Sequence, residues 1–123
     1  MLTEQFESLP LVGARLVKLR FCGNGKDSEV TLEAEGNRKT IIPLSGARVD
    51  LSLSGAITIA TRAWGDTAIV WEIAPTPEQV VTIEEAAIGF SGRRDEWEDS
   101  LRSYERTGTL NSAVALRLKL VAR

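Results

Sequence analysis

Apolar and polar residues alternate with period two along most of the chain, and the clearest run is Arg48 to Ile73, RVDLSLSGAITIATRAWGDTAIVWEI. Val49, Leu51 and Leu53 fall on one strand face and Asp50, Ser52 and Ser54 on the other, as when one side of a strand meets a core and the other meets water. Gly55 permits a bend or bulge, and Ile57 and Ile59 continue the apolar row. Trp64-Gly65-Asp66-Thr67 supplies a turn, after which Ile69, Trp71 and Ile73 alternate on the return strand. The stretch predicts the centre of an antiparallel sheet, with Trp71 in the core.

Ahead of it, Thr3 is placed to cap a short helix through Glu4, Gln5, Phe6 and Leu9 that Pro10 stops. Ala14 to Cys22 predicts a strand, with Val17, Leu19 and Phe21 on one face and Leu16, Lys18, Arg20 and Cys22 on the other. Gly23-Asn24-Gly25-Lys26-Asp27 is a hairpin turn, since the two glycines and Asn24 tolerate positive φ. Its partner strand is Glu29 to Glu35, whose row of Glu29, Thr31, Glu33 and Glu35 is set to face Lys18 and Arg20. Thr40 to Leu44 contains Pro43, which donates no ladder hydrogen bond and so predicts an edge strand or a strand end. Ser45-Gly46 then turns the chain.

After Ile73, Ala74-Pro75-Thr76-Pro77 is a stiff linker. Val80 to Ile83 predicts a strand, and Ile88 and Phe90 another. From Asp95 to about Arg106 the period becomes helical, with Trp97, Leu101 and Tyr104 on one stripe that places Trp97 in the core. Ser91 or Gly92 opens this helix, Asp95, Glu96, Glu98 and Asp99 suit the positive end of its dipole, and Gly108 ends it. Val114, Leu116, Leu118 and Leu120 then alternate in a long last strand suited to the interior of a sheet. The fold class is mainly β (α+β): an antiparallel β-sandwich or half-open barrel with one amphipathic helix in the C-terminal half, forming a single β-rich domain over residues 1–123.

Composition narrows the chemistry more than the architecture. The 123 residues are 43% hydrophobic, enough for one packed core. A formal net charge of -2 lacks the basic excess of a nucleic-acid binder, so no nucleic-acid partner is expected. There is no histidine, which removes the commonest general base and the commonest transition-metal ligand together. Ser-His-Asp and Cys-His mechanisms are thereby ruled out, and with Cys22 as the one cysteine no metal site and no cofactor is expected. A single cysteine also forms no intramolecular disulfide, which suits a reducing, cytoplasmic compartment. The opening MLTEQFESLPLVG carries Glu4 and Glu7 where a signal peptide is basic, and no apolar run approaches the ~20 residues of a membrane span.

The densest charged segment is Arg93-Arg94-Asp95-Glu96-Trp97-Glu98-Asp99. It reads either as a solvated first helical turn or as an acidic surface for a basic partner, and its spacing does not match a calcium loop. Trp64, at a predicted turn, reads either as a plug over the sheet end or as an exposed anchor for a partner. The candidate partner-binding residues are therefore Trp64, Asp95, Glu96, Glu98 and Asp99, and no catalytic residue is nominated. Glu84 and Glu85 are adjacent carboxylates, but neighbours on a strand point to opposite faces. Cys22 reads as packing, and Gly23-Asn24-Gly25 as a turn and not a nucleotide loop.

The Phe6-led opening, the strand LVKLRF at Leu16 to Phe21, SEVTLEAEG at Ser28 to Gly36 and VDLSLSGAITIATRAW at Val49 to Trp64 resemble the small immunity proteins of bacterial polymorphic toxin systems. The family they resemble in particular is immunity protein family fifty. The resemblance covers roughly the first half of the chain and carries no site motif, so it assigns a role to no residue. It implies a non-catalytic cytoplasmic protein that binds and blocks a cognate toxin domain; the charge balance and the apolar run lengths separately lead to an expectation of neither nucleic acid nor membrane as partner. Two other readings remain at this point. One is a structural subunit, such as a phage or secretion-apparatus β-domain, that assembles through sheet edges. The other is a small-ligand binder or carboxylate enzyme in a barrel mouth, which needs a sizeable apolar cavity. The oligomeric state is left open.

Overall fold

A computed structural model describes residues 4–23, 28–43, 48–64, 68–110 and 113–123. Along the chain these form β1 (Glu4–Ser8), β2 (Leu16–Gly23), β3 (Ser28–Ala34), β4 (Thr40–Pro43), β5 (Arg48–Ser54), β6 (Ala60–Trp64), β7 (Ala68–Ile73), β8 (Val81–Ser91), α1 (Arg94–Thr107) and β9 (Ala115–Ala122). One sheet has the order β1-β8-β9-β5 and the other β4-β3-β2-β7-β6. Their inner faces share one core, giving, among the described residues, a mainly β, sandwich-like fold with one helix and no closed barrel. The expected capping residue Thr3 and the turns at Asn24 to Asp27, Ser45-Gly46 and Gly65 to Thr67 lie outside the described residues.

The centre of the first sheet is β8 against β9, the two strands richest in apolar side chains. Ile83, Ala86, Ile88 and Phe90 of β8 and Leu116, Leu118 and Leu120 of β9 are all buried. In the second sheet Leu19, Val30, Leu32, Ile42 and Ile73 face them from β2, β3, β4 and β7. Phe21 and Trp71, in register on β2 and β7, stack with ring centroids 5.3 Å apart and extend this inner face.

The Arg48–Ile73 stretch does not form the sheet centre that its pattern suggests. β5 is the edge of one sheet and β6 the edge of the other, with the bend at Gly55 (φ 88°) between them. β5 also pairs with β9 in parallel, whereas every other pairing between named strands is antiparallel. A clean alternation with Asp50, Ser52 and Ser54 marks a strand wet on one side, and that is as compatible with an edge as with an interior position; β3 (SEVTLEA) alternates in the same way inside its sheet.

Two β-bulges explain where the strand readings differ. In β2 the register shifts between Leu16 and Lys18, so Leu16 and Leu19 are both buried while Val17 is exposed. In β8 it shifts between Ile83 and Glu85, so Val81 and Ile83 face the core in one phase and Ala86, Ile88 and Phe90 in the other. What reads as two short strands is one strand of 11 residues.

The N-terminal segment is a strand and not the helix that its Glu, Gln and Phe residues suggest. A helix of so few residues does not hold itself together in water. The free edge of β8 instead offers β1 a ladder from Glu4↔Ser91 to Ser8↔Ala87. Phe6 therefore lies on the outer face under the Arg117 guanidinium, 4.0 Å from its ring centroid, while Leu9 is buried.

Helix α1 bridges the two sheets along one side of the sandwich. Trp97 is buried and stacks on Phe90 with centroids 4.5 Å apart, a contact worth about 0.5–1.5 kcal/mol beyond its buried area. Leu101 and Tyr104 complete the expected stripe against the core, and the Tyr104 hydroxyl lies 3.3 Å from the buried hydroxyl of Thr40 on β4. Gly108 ends the helix in the left-handed region (φ 76°), its N–H donating to the Tyr104 carbonyl at 2.8 Å. The next residues run beside β4: Ile41 N–H donates to Gly108 O, and Leu110 N–H to Ile41 O, each at 2.9 Å. The β4 edge is thus partly covered.

A Cβ at position 108 would stand 2.7 Å from the Lys39 carbonyl oxygen as well as in a strained φ region. Gly108→Ala is therefore expected to cost more than about 1 kcal/mol. Urea unfolding followed by circular dichroism measures this as a lowered midpoint with unchanged slope.

Candidate partner-binding surface

The sequence places its acidic candidates on the first two turns of α1, and the structure keeps them there. Arg93 is the N-cap, with extended backbone (φ -88°, ψ 155°), and its N–H donates to Glu96 Oε2 at 3.0 Å. That is one half of a capping box; an arginine side chain accepts nothing, so the reciprocal bond does not form. Gly92 (φ 97°) makes room for the returning carboxylate, which would lie 2.2 Å from any Cβ there.

Asp95, Glu96 and Asp99 are exposed and Glu98 is half-buried. These carboxylates do not form a purely negative patch. Arg93 lies 3.4 Å from Asp95 and 3.8 Å from Glu96, and Arg102 lies 2.9 Å from Asp99. Arg94 pairs with Glu7 of β1 at 2.7 Å and sits over the Trp97 ring at 5.4 Å, fastening the helix to the edge of its sheet. Exposed pairs of this kind are weak and exchangeable, with a median worth of about 0–1 kcal/mol. The surface is a rigid helical face with alternating charge. The pairing of Asp99 with Arg102 was readable from the three-residue spacing; that of Arg94 with Glu7 joins residues distant in sequence and was not.

Trp64 is not part of this surface. It is the last residue of β6, in register with Ala68, at the far edge of the second sheet from β4, where the helix docks. Four strand spacings separate those edges, roughly 19 Å. The five nominated residues therefore belong to two regions.

Glu84 and Glu85 depart from the expectation of opposite faces. The bulge in β8 lets both reach the outer basic row of β9, Glu84 to Lys119 at 3.5 Å and Glu85 to Arg117 at 3.8 Å. Each carboxylate is opposed by its own base, so the two do not share a site. Among the described residues no group of three or more Asp, Glu or Cys side chains is placed to hold a metal ion.

One hollow, with a volume of about 250 Å³, lies between the C-terminal turn of α1 and β4, walled by Leu11, Arg38, Thr40, Tyr104 and Gly108. It falls below the 300–1,000 Å³ usual for a ligand site. Its polar walls already have internal partners. The Thr40 and Tyr104 hydroxyls face each other, and Arg38 donates to the carbonyls of Glu105 and Arg106. Wider surface hollows of about 570 Å³ and 620 Å³ lie over the outer face of β5 and β9, beside Asp50, Glu85 and Arg117, and along α1, beside Asp99, Arg102 and Arg106. No helix among the described residues is long and apolar enough to cross a membrane.

No family model, curated protein or solved structure matches the chain.

The capping carboxylate and its neighbours differ in what they do for the fold. Glu96→Ala is expected to lower stability by about 1 kcal/mol through the lost N-terminal bond, while Asp99→Ala changes it by less than about 0.5 kcal/mol. Parallel urea titrations of the two variants check the difference.

Proposed function

We propose that this chain is a non-catalytic protein-binding domain, an immunity protein that neutralises a cognate bacterial toxin by covering its active surface. The observation that carries this reading is the outer face of α1. Asp95, Glu96 and Asp99 project into solvent from a helix whose other face is locked by the Trp97–Phe90 stack. A pre-ordered helix loses little entropy on binding, and its weak internal ion pairs are exchangeable for a partner's lysines and arginines. A toxin domain that acts on a polyanion presents such a basic surface. Occlusion asks for shape and charge, which this chain has, and for no reactive side chain; the lack of histidine is consistent with that. The cytoplasm is the compartment in which Cys22 stays reduced and in which such a toxin would need to be blocked.

Trp64, on the opposite edge, is a separate contact in this reading, available only to a partner that wraps the sandwich. The alternative, a subunit that assembles through sheet edges, is supported by the open edge of β5. Light scattering on the isolated protein separates the two, because a ring or larger oligomer favours assembly, and a monomer or dimer favours the immunity role.

The binding test uses the toxin domain encoded beside this gene, or the protein captured from native lysate. Asp95→Lys, Glu98→Lys and Asp99→Lys are combined while Glu96 is kept for its capping bond. The triple variant is expected to bind at least about tenfold more weakly, ~1.4 kcal/mol, with a normal circular dichroism spectrum. Unchanged affinity removes α1 as the interface.

A further inference from the structure

The sheet edges of this molecule are not equally protected. β4 ends in Pro43 and is flanked by residues 108–110, and β1 is short and tied to α1 through Glu7 and Arg94. β5 has neither device. Among the described residues it pairs with β9 alone; it contains no proline, lysine or register shift, and is seven residues long.

The phase of its backbone is set by the hydrogen bond from Arg48 N–H to Val114 O at 3.1 Å. In the regular parallel ladder that follows, Arg48, Asp50, Ser52 and Ser54 turn their backbone groups toward β9. Val49, Leu51 and Leu53 turn theirs outward, where no partner meets them among the described residues. Their side chains form a row on the core side that is only half covered, with Leu53 37% exposed.

We infer that β5 pairs antiparallel with β5 of a second copy of this chain, about a twofold axis at Leu51, to give one continuous eight-stranded sheet. Only this register pairs all seven residues of the strand. It sets Leu51 against Leu51 and Val49 against Leu53, all with outward backbone groups, so each facing pair exchanges two hydrogen bonds. The half-exposed apolar row is then covered by its own copy. On the outer face Asp50 meets Ser52 of the other chain, at the close, non-hydrogen-bonded positions. Moving the axis to Asp50 would set two aspartates face to face, and moving it to Ser52 would bring the bend at Gly55 into the ladder. The contact is isologous, so it closes at two chains and leaves α1 free on both outer flanks. It does not depend on what α1 binds.

Ser52 gives a test in which folding and pairing respond with opposite sign. It is exposed, stands beside Lys119 in its own sheet, and faces Asp50 of the partner copy in the dimer. Ser52→Glu adds a favourable neighbour within the chain and a repulsive one across the axis, and Ser52→Lys does the reverse. Sedimentation and light scattering are expected to show twice the 13.4 kDa chain mass for the wild type. Because each contact occurs twice by symmetry, Ser52→Glu is expected to raise the dimer dissociation constant roughly threefold or more, and Ser52→Lys to lower it. Urea midpoints at concentrations below dissociation stay level or move the opposite way. A single-chain mass at every concentration, a mass above two chains, or a dimer that ignores both substitutions or answers both in the same direction would overturn the pairing.

Discussion

The pairing of β8 with β9 is the contact on which the other elements depend. β8 holds β1 on its free side and β9 holds β5, so neither edge strand has a ladder without them. Their inner residues, from Ile83 to Phe90 and from Leu116 to Leu120, supply half of the core that the second sheet covers. Phe90 also seats Trp97, and through it the helix. Each such fully buried side chain contributes about 1.5–3 kcal/mol relative to exposure. The two strands are separated in sequence by α1, β5 joins β9 from far earlier in the chain and β1 joins β8 from earlier still, so this sheet is built from contacts distant in sequence. That topology implies slow folding for a chain of this size.

Outside the core, many charged side chains lie beside one of opposite sign. Lys18 with Glu72, Arg117 with Glu85, Lys119 with Glu84, and Arg93 and Arg102 with the acids of α1 all lie within 4 Å of a partner on exposed surface. Such pairs add little to stability but suppress any strong single-sign field. In the proposed reading, recognition by this surface is therefore a matter of exchanging ion pairs, and less of long-range attraction. The one buried polar side chain among the described residues, Thr40, is satisfied by Tyr104 and belongs to the joint between helix and sheet.

A sandwich must close or guard its edges, and this one does so on the helix side only. α1 and the residues after it lie across β1 and β4, whereas no further strand or helix among the described residues covers β5 and β6 on the opposite side. The chain thus has two distinct outward features, a charged helical face and a strand edge that no other strand among the described residues pairs with, separated by the width of the sheets. One offers side-chain charge and the other backbone hydrogen bonds.

Periodicity by itself determined the strands β2, β3, β4, β7 and β9, the single helix with its Trp97-Leu101-Tyr104 stripe, and the stop at Gly108, because each follows from residues adjacent in the chain. It also located the acidic turns of α1, since dipole-matched carboxylates at a helix start are a local feature. Only the tertiary structure decided that Glu4–Ser8 is a strand, because the free edge of β8 outweighs the weak helical preference of five residues. Only the tertiary structure decided that β5 and β6 are edges in different sheets, that Val17 faces out while Leu16 and Leu19 face in, and that Glu84 and Glu85 share a face. A bulge or an edge is a property of two strands together, and alternation along one strand is the same whether its neighbour is present, shifted by a residue, or absent.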